Sequence, residues 1–147
     1  MPTLTKVKAD LAQPGIPARY QEKGVFAVVS TYEASALAAD TVIEMCKIQA
    51  GVTVLGGQLV CDALGASTTL AVGTVSTNVD PDDTFDADFL AASNVGTSAQ
   101  AFTILSAGKF PKTFATDDTL DVQIAGGTGT GTITLIAYMT AEEVDLV

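Results

Sequence analysis

The sequence predicts an all-β fold, an antiparallel β-sandwich built as one domain behind an extended N-terminal arm. Three observations carry this. The 147 residues include 22 Ala, 20 Thr, 15 Val and 13 Gly, a mixture that suits half-buried pleated surfaces and tight turns better than long helices. Apolar residues make up 48% of the chain, enough for one continuous core at the size of a single ordinary domain. Short β-rich runs recur at a spacing of roughly 8–15 residues with turn residues between them, the pattern from which sandwiches are built.

Residues 1–23 predict the arm. Pro2, Pro14 and Pro17 interrupt any regular element, and Pro14-Gly15-Ile16-Pro17 is held extended or turn-like by proline sterics. The segment carries Lys6, Lys8, Arg19 and Lys23 against Asp10 and Glu22, a balance of +2. Those four cations are the candidate contacts to an acidic neighbour; the competing reading is an unattached terminus. Residues 24–147 form the predicted β domain. Its first strand is 25–32, nearly continuous in apolar residues. Residues 33–39, although rich in Ala, are barely two helical turns long and read as a loop. Strands follow at 42–48, 52–55, 58–62 and 69–75, with Gly51, Gly56 and Gly57 supplying corners.

One short helix is expected within residues 78–93. Asp82, Asp83 or Thr84 would cap it, and Phe85, Phe89 and Leu90 fall on one side at i, i+4 and i+5. Strands resume at 101–105, 112–115, 119–124 and 131–139. In the last two, Leu120, Val122 and Ile124, then Ile133 and Leu135, alternate with polar residues, so one face points to a core and the other to water. Two such sheets stacked about 10 Å apart, closed as a jelly roll, would hide most strand edges.

Several function classes are disfavoured. The chain has no His, so it cannot build a Ser-His-Asp triad, a Cys–His pair or an imidazole metal site. Seven basic residues against 17 acidic give a net charge of −10, with no basic residue between Lys47 and Lys109. That balance repels phosphate backbones and anionic membranes, so neither nucleic acid nor membrane is an expected partner. No signal-like apolar run follows the N-terminal lysines, and no stretch approaches the ~20 apolar residues of a membrane span. Cys46 and Cys61 have two readings: small apolar strand residues kept reduced in a cytoplasm, or a cross-strand disulfide if a hairpin turns near Thr53.

Three local motifs invite chemistry. Asp80, Asp82, Asp83, Asp86 and Asp88 could offer oxygens to Ca²⁺, although EF-hand spacing is absent; the alternatives are an acidic helix start and a partner contact. Asp117-Asp118 reads as turn chemistry. Residues 126–131, Gly-Gly-Thr-Gly-Thr-Gly, lack the Lys of a phosphate-binding loop and lead into a strand, so they read as a flexible hairpin loop. No catalytic residue, cofactor site or metal site is expected, and the chain reads as non-enzymatic.

The run Leu64-Gly65-Ala66-Ser67-Thr68-Thr69-Leu70-Ala71-Val72-Gly73 resembles an element of small virion proteins from tailed bacteriophages and prophages. Phe89-Leu90-Ala91-Ala92, and Thr116-Asp117-Asp118-Thr119-Leu120-Asp121-Val122 leading into Gly131-Thr132-Ile133, are similar to segments that follow it. The resemblance spans roughly residues 24–140. It implies a structural jelly roll added to the particle as a capsid decoration (cement) protein, typically a homotrimer bound to the major capsid protein on the outer capsid surface. Such a protein is made in the host cytoplasm. A head-fibre, tail or receptor-binding module, a small capsid subunit and a carbohydrate-active accessory domain remain as alternatives. The scarcity of aromatics, 6% with no Trp, weighs against the receptor-binding and carbohydrate readings.

Overall fold

The computed structural model describes residues 6–12, 24–75, 85–104 and 111–141. Among these residues ten strands lie in two sheets. The first runs in the order β1 (Lys6–Ala12), β3 (Val42–Ile48), β9 (Asp118–Ala125), β5 (Thr69–Val75), β6 (Phe85–Asn94). The second runs β2 (Val25–Leu37), β10 (Gly129–Ala141), β4 (Val52–Cys61), β7 (Gln100–Thr103), and β8 (Lys112–Thr113) also pairs with β4. All pairings are antiparallel except β1 on β3, which is parallel.

The pairing nests: β5 with β6, β4 with β7 and β8, β3 with β9, β2 with β10. The chain therefore behaves as one long hairpin rolled so that its strands fall alternately into two sheets, the double Greek key of a jelly roll. Alternation of inward and outward side chains builds the core. From the first sheet come Ile43, Met45, Leu120, Val122, Ile124, Leu70, Val72 and Phe89; from the second, Val54, Leu59, Ile133, Leu135, Ala137 and Met139. Two close approaches require glycine. A Cβ on Gly57 would overlap the Ile136 carbonyl of the neighbouring β10, and one on Gly73 would overlap the carbonyl of Asp86.

The prolines of residues 1–23 do not exclude a regular element, since Lys6–Ala12 is strand β1 paired with β3, and four expectations about the β domain are also corrected. No helix forms at Phe85–Asn94, which is strand β6; residues 76–84 lie outside the described residues. The helix-like spacing has a different cause. Val72 pairs with Leu90 and Thr74 with Asp86, so β6 spends four residue steps where β5 spends two. The resulting bulges turn Asp88, Phe89 and Leu90 inward in succession. Second, β2 continues through the expected loop to Leu37, because Glu33 and Ala34 still pair with Thr132 and Gly131. Third, Gly56 and Gly57 do not separate two strands but lie inside the single strand β4. Fourth, the glycine-rich run after β9 crosses from one sheet to the other instead of closing a hairpin, and Gly129 to Gly131 already belong to β10.

Candidate functional site

No pocket with convergent chemistry marks the described residues, so the candidate sites are surfaces. Among the described residues no group of three or more Cys, Asp or Glu is placed to hold a metal ion. Within the acidic run of residues 80–88, Asp80, Asp82 and Asp83 lie outside the described residues. Asp86 is exposed, and Asp88 is buried and accepts a hydrogen bond from Lys112 Nζ at 2.9 Å. The Lys112 ammonium also sits over the Phe89 and Phe114 rings, 5.7 and 5.4 Å from their centroids. This ion pair ties β6 of one sheet to β8 of the other. Asp117 and Asp118 serve the backbone: Asp117 accepts from the Ala50 amide at 2.9 Å and Asp118 from the Thr119 amide at 2.7 Å.

The expected contact residues divide. Lys6 and Lys8 are on β1, in register with Val42 and Glu44. Arg19 and Lys23 lie outside the described residues. The register continues from Glu44 to Asp121 on β9 and from Asp121 to Gly73 on β5. One row across the first sheet thus carries Lys8, Glu44, Asp121 and Gly73.

Asp121 is the residue that sequence reasoning placed wrongly. Its position in the alternation assigned it to water, yet it is 1% exposed. Beside it, Gly73 lets the backbone of the neighbouring β6 come close at Asp86. The Val75 amide donates to Asp121 Oδ2 at 3.1 Å, and Oδ1 has no hydrogen-bond partner among the described residues. Burial pushes the carboxyl up to about 7; the Thr119 hydroxyl and Val75 amide act in the opposite sense, and the Glu44 and Asp118 carboxylates add to the rise. Glycine at 73 was the available signal, since a glycine inside a strand marks a bulge or a close crossing.

The two cysteines are free and buried. β3 and β4 belong to different sheets, so the hairpin that would set Cys46 against Cys61 does not exist. Burial pushes the Cys46 thiol up to about 12, with the Asp121 carboxylate adding to it, and raises the Cys61 thiol as well.

The outward side of the second sheet is of another kind. Val29 of β2 pairs with Ile136 of β10, Ala27 with Tyr138, Thr134 with Val60 of β4, and Val60 with Ala101 of β7. Val25, Val29, Val60 and Tyr138, the exposed large hydrophobic residues among those described, all lie here, at 65, 57, 38 and 41% exposure. Thr31 and Thr134 bond to each other within the face. Charge begins only at its margin, where Glu33 accepts from the Thr132 hydroxyl and Asp62 from the Thr132 amide.

No protein-family model and no curated protein sequence matches the chain. Solved structures do. A chain of the capsid of Ralstonia phage GP4 matches with a TM-score of 0.76 and 24% identity, covering 95% of this chain and 100% of that one. A chain of the cyanophage Pam1 capsid matches with a TM-score of 0.61 and 16% identity, over 90% and 96% of the two chains. One from the acidic stable capsid of Helicobacter pylori bacteriophage KHP30 matches with a TM-score of 0.55 and 11% identity, over 84% and 92%. These likenesses establish a shared fold.

Proposed function

We propose that this chain is a non-enzymatic structural protein of a bacteriophage virion, a decoration protein that binds the major capsid protein lattice from outside and stabilises the head. The observation that carries this reading is the end-to-end match to a chain of the Ralstonia phage GP4 capsid, which leaves no part of that chain uncovered. Physical chemistry supports it. A net charge of −10 keeps copies soluble and apart until a shell presents many equivalent sites. A homotrimer bound to such a shell makes several modest contacts at once, and their combined strength exceeds that of any one. In this reading residues 1–23 are the arm that reaches a neighbour, and Lys6, Lys8, Arg19 and Lys23 meet acidic groups there. The protein is made in the host cytoplasm and joins the outer capsid surface.

The test is attachment. Purified protein is mixed with undecorated shells of the phage that encodes it, the shells are sedimented, and bound copies are counted by gel densitometry. Decoration gives hundreds of copies per shell; a dozen or fewer points to a fibre or tail component and refutes the reading. Replacing Lys6, Lys8, Arg19 and Lys23 with Ser, which leaves the strand β1 in place, is expected to weaken attachment at least tenfold, and equal attachment by the variant refutes the role of the arm.

A further inference from the structure

We infer that Glu44 and Asp121 form a proton-operated junction between β3 and β9, closed by one shared proton and forced apart when that proton leaves. The two residues are direct partners in the register of these strands. Directly opposite positions of an antiparallel pair hold their Cβ atoms about 4.5–5.5 Å apart, and like charges there destabilise the sheet. Among the described residues no other registered pair sets two acidic residues against each other. Asp121 is also buried, and Glu44 half-buried. Two charges here would cost free energy twice, through burial and through repulsion; a pair that holds one proton carries a single charge.

The neighbouring strands favour that single charge. On β9 itself Asp118 adds its repulsion to that of Glu44. On β3, Lys47 is exposed and paired with Thr119, and the Cys46 thiol is buried and neutral. β5 brings no charge: Gly73 stands opposite Asp121, and the Val75 amide donates to Oδ2. β6 contributes Asp86, which is exposed, with its carbonyl against Gly73. β1 places Lys8 in register with Glu44, on the side away from Asp121. The charges that act on the Asp121 carboxyl are those of Glu44 and Asp118, both negative, so each favours its keeping a proton.

With the proton held, Oδ1 of Asp121, which has no partner among the described residues, carries a donor. Glu44, directly across on β3, has the longer and more flexible side chain, and its carboxylate is the acceptor within the pair. A carboxyl–carboxylate hydrogen bond is short, about 2.5–2.7 Å, and stronger than a neutral one. Loss of the proton removes the only donor between the two and leaves two carboxylates opposed across adjacent strands. Burial holds the Asp121 proton up to about 7, so the change falls near neutrality. Its effect is local. β3 and β9 join the β1 edge to the rest of the first sheet, and no registered pair of the second sheet sets like charges together. Rising pH thus loosens the first sheet at β3 and β9 ahead of the second, whatever surface the protein attaches to.

The full chain is tested in solution. Carbon-13 NMR follows the Glu44 and Asp121 carboxyls of the labelled protein from about pH 4 to about pH 9, a range in which a coupled pair titrates in shared steps. The Glu44 signal of the wild type is expected to move a second time at the Asp121 midpoint. In Glu44→Gln that midpoint is expected about one pH unit lower, roughly tenfold in acid constant. Hydrogen exchange, read by mass spectrometry and corrected for intrinsic rates, is expected to accelerate at least about tenfold in β3 and β9 relative to β4 and β10 between about pH 5.5 and about pH 8.5. Asp121→Asn should remove that difference. A Glu44 signal with a single step, an Asp121 midpoint unmoved in Glu44→Gln, or exchange that rises equally in both sheets overturns the inference. The first of these needs no substitution, so it decides the matter even where a variant fails to fold.

Discussion

Replacing Asp121 with Asn should change how stability depends on pH, and by an amount the structure fixes. Asp121 is 1% exposed, with one oxygen bonded to the Val75 amide and the other without a partner among the described residues. Its carboxyl rises from 3.8 to about 7 on folding, chiefly through burial. Each pH unit between folded and unfolded affinities is worth about 1.4 kcal/mol, so the ionised form costs on the order of 4 kcal/mol. Near pH 3.8 and below, both states hold the proton and the cost is absent. Between there and about 7 the unfolded chain releases the proton while the folded chain keeps it, so folding stability falls as pH rises. Above about 7 both states are ionised and the curve levels at the full cost. Asn at this position still accepts from Val75 and cannot ionise. Urea unfolding followed by circular dichroism, from about pH 4 to pH 8.5, measures both proteins. The stability of Asp121→Asn relative to wild type should improve by on the order of 4 kcal/mol across that range. A difference that stays flat with pH would refute the assignment of a buried, proton-holding carboxyl.

Two further outcomes follow from side chains already described. Lys112→Met keeps a chain of similar length over Phe89 and Phe114 but removes the cation from Asp88, which is 6% exposed. The expected loss is on the order of 2–3 kcal/mol at neutral pH, read from urea midpoints. A variant as stable as wild type would show that the pair contributes nothing. Cys46 and Cys61 should resist a thiol-specific reagent in the native protein and react only as fast as the chain unfolds, since both are buried with raised thiol pKa values. Modification of either thiol within seconds would contradict that placement.

Strand content was legible where turns frame a short, largely apolar run. The expected 42–48 coincides with β3, Val42–Ile48, and 69–75 with β5, Thr69–Val75, because turn residues bound both and apolar side chains run through both. Ile133 and Leu135 point inward as their alternation required. The reading failed where period 2 is broken. Bulges in β6 bury three successive residues, which imitates one side of a helix. It failed again at residues 33–37, where an Ala-rich segment too short for a helix read as a loop and β10 holds it as strand by pairing. Asp121 sits between Glu44 of β3 and Gly73 of β5 and bonds the Val75 amide, neighbours far away in sequence that no local window contains. The face bearing Val29 and Tyr138 was hidden for a related reason: its members lie on strands joined only by topology.

The position of β10 has a consequence for biosynthesis. It follows every other strand among the described residues, yet it sits between β2 and β4 and supplies Ile133, Leu135, Ala137 and Met139 to the core. Met139 pairs with Phe26 across more than a hundred residues of intervening chain. Until the ribosome has delivered that segment, β2 and β4 have no hydrogen-bonding neighbour between them, and half the interior lacks a wall. Completion of the fold is thus tied to synthesis of residues 129–141, and products that stop before them are left without the means to close.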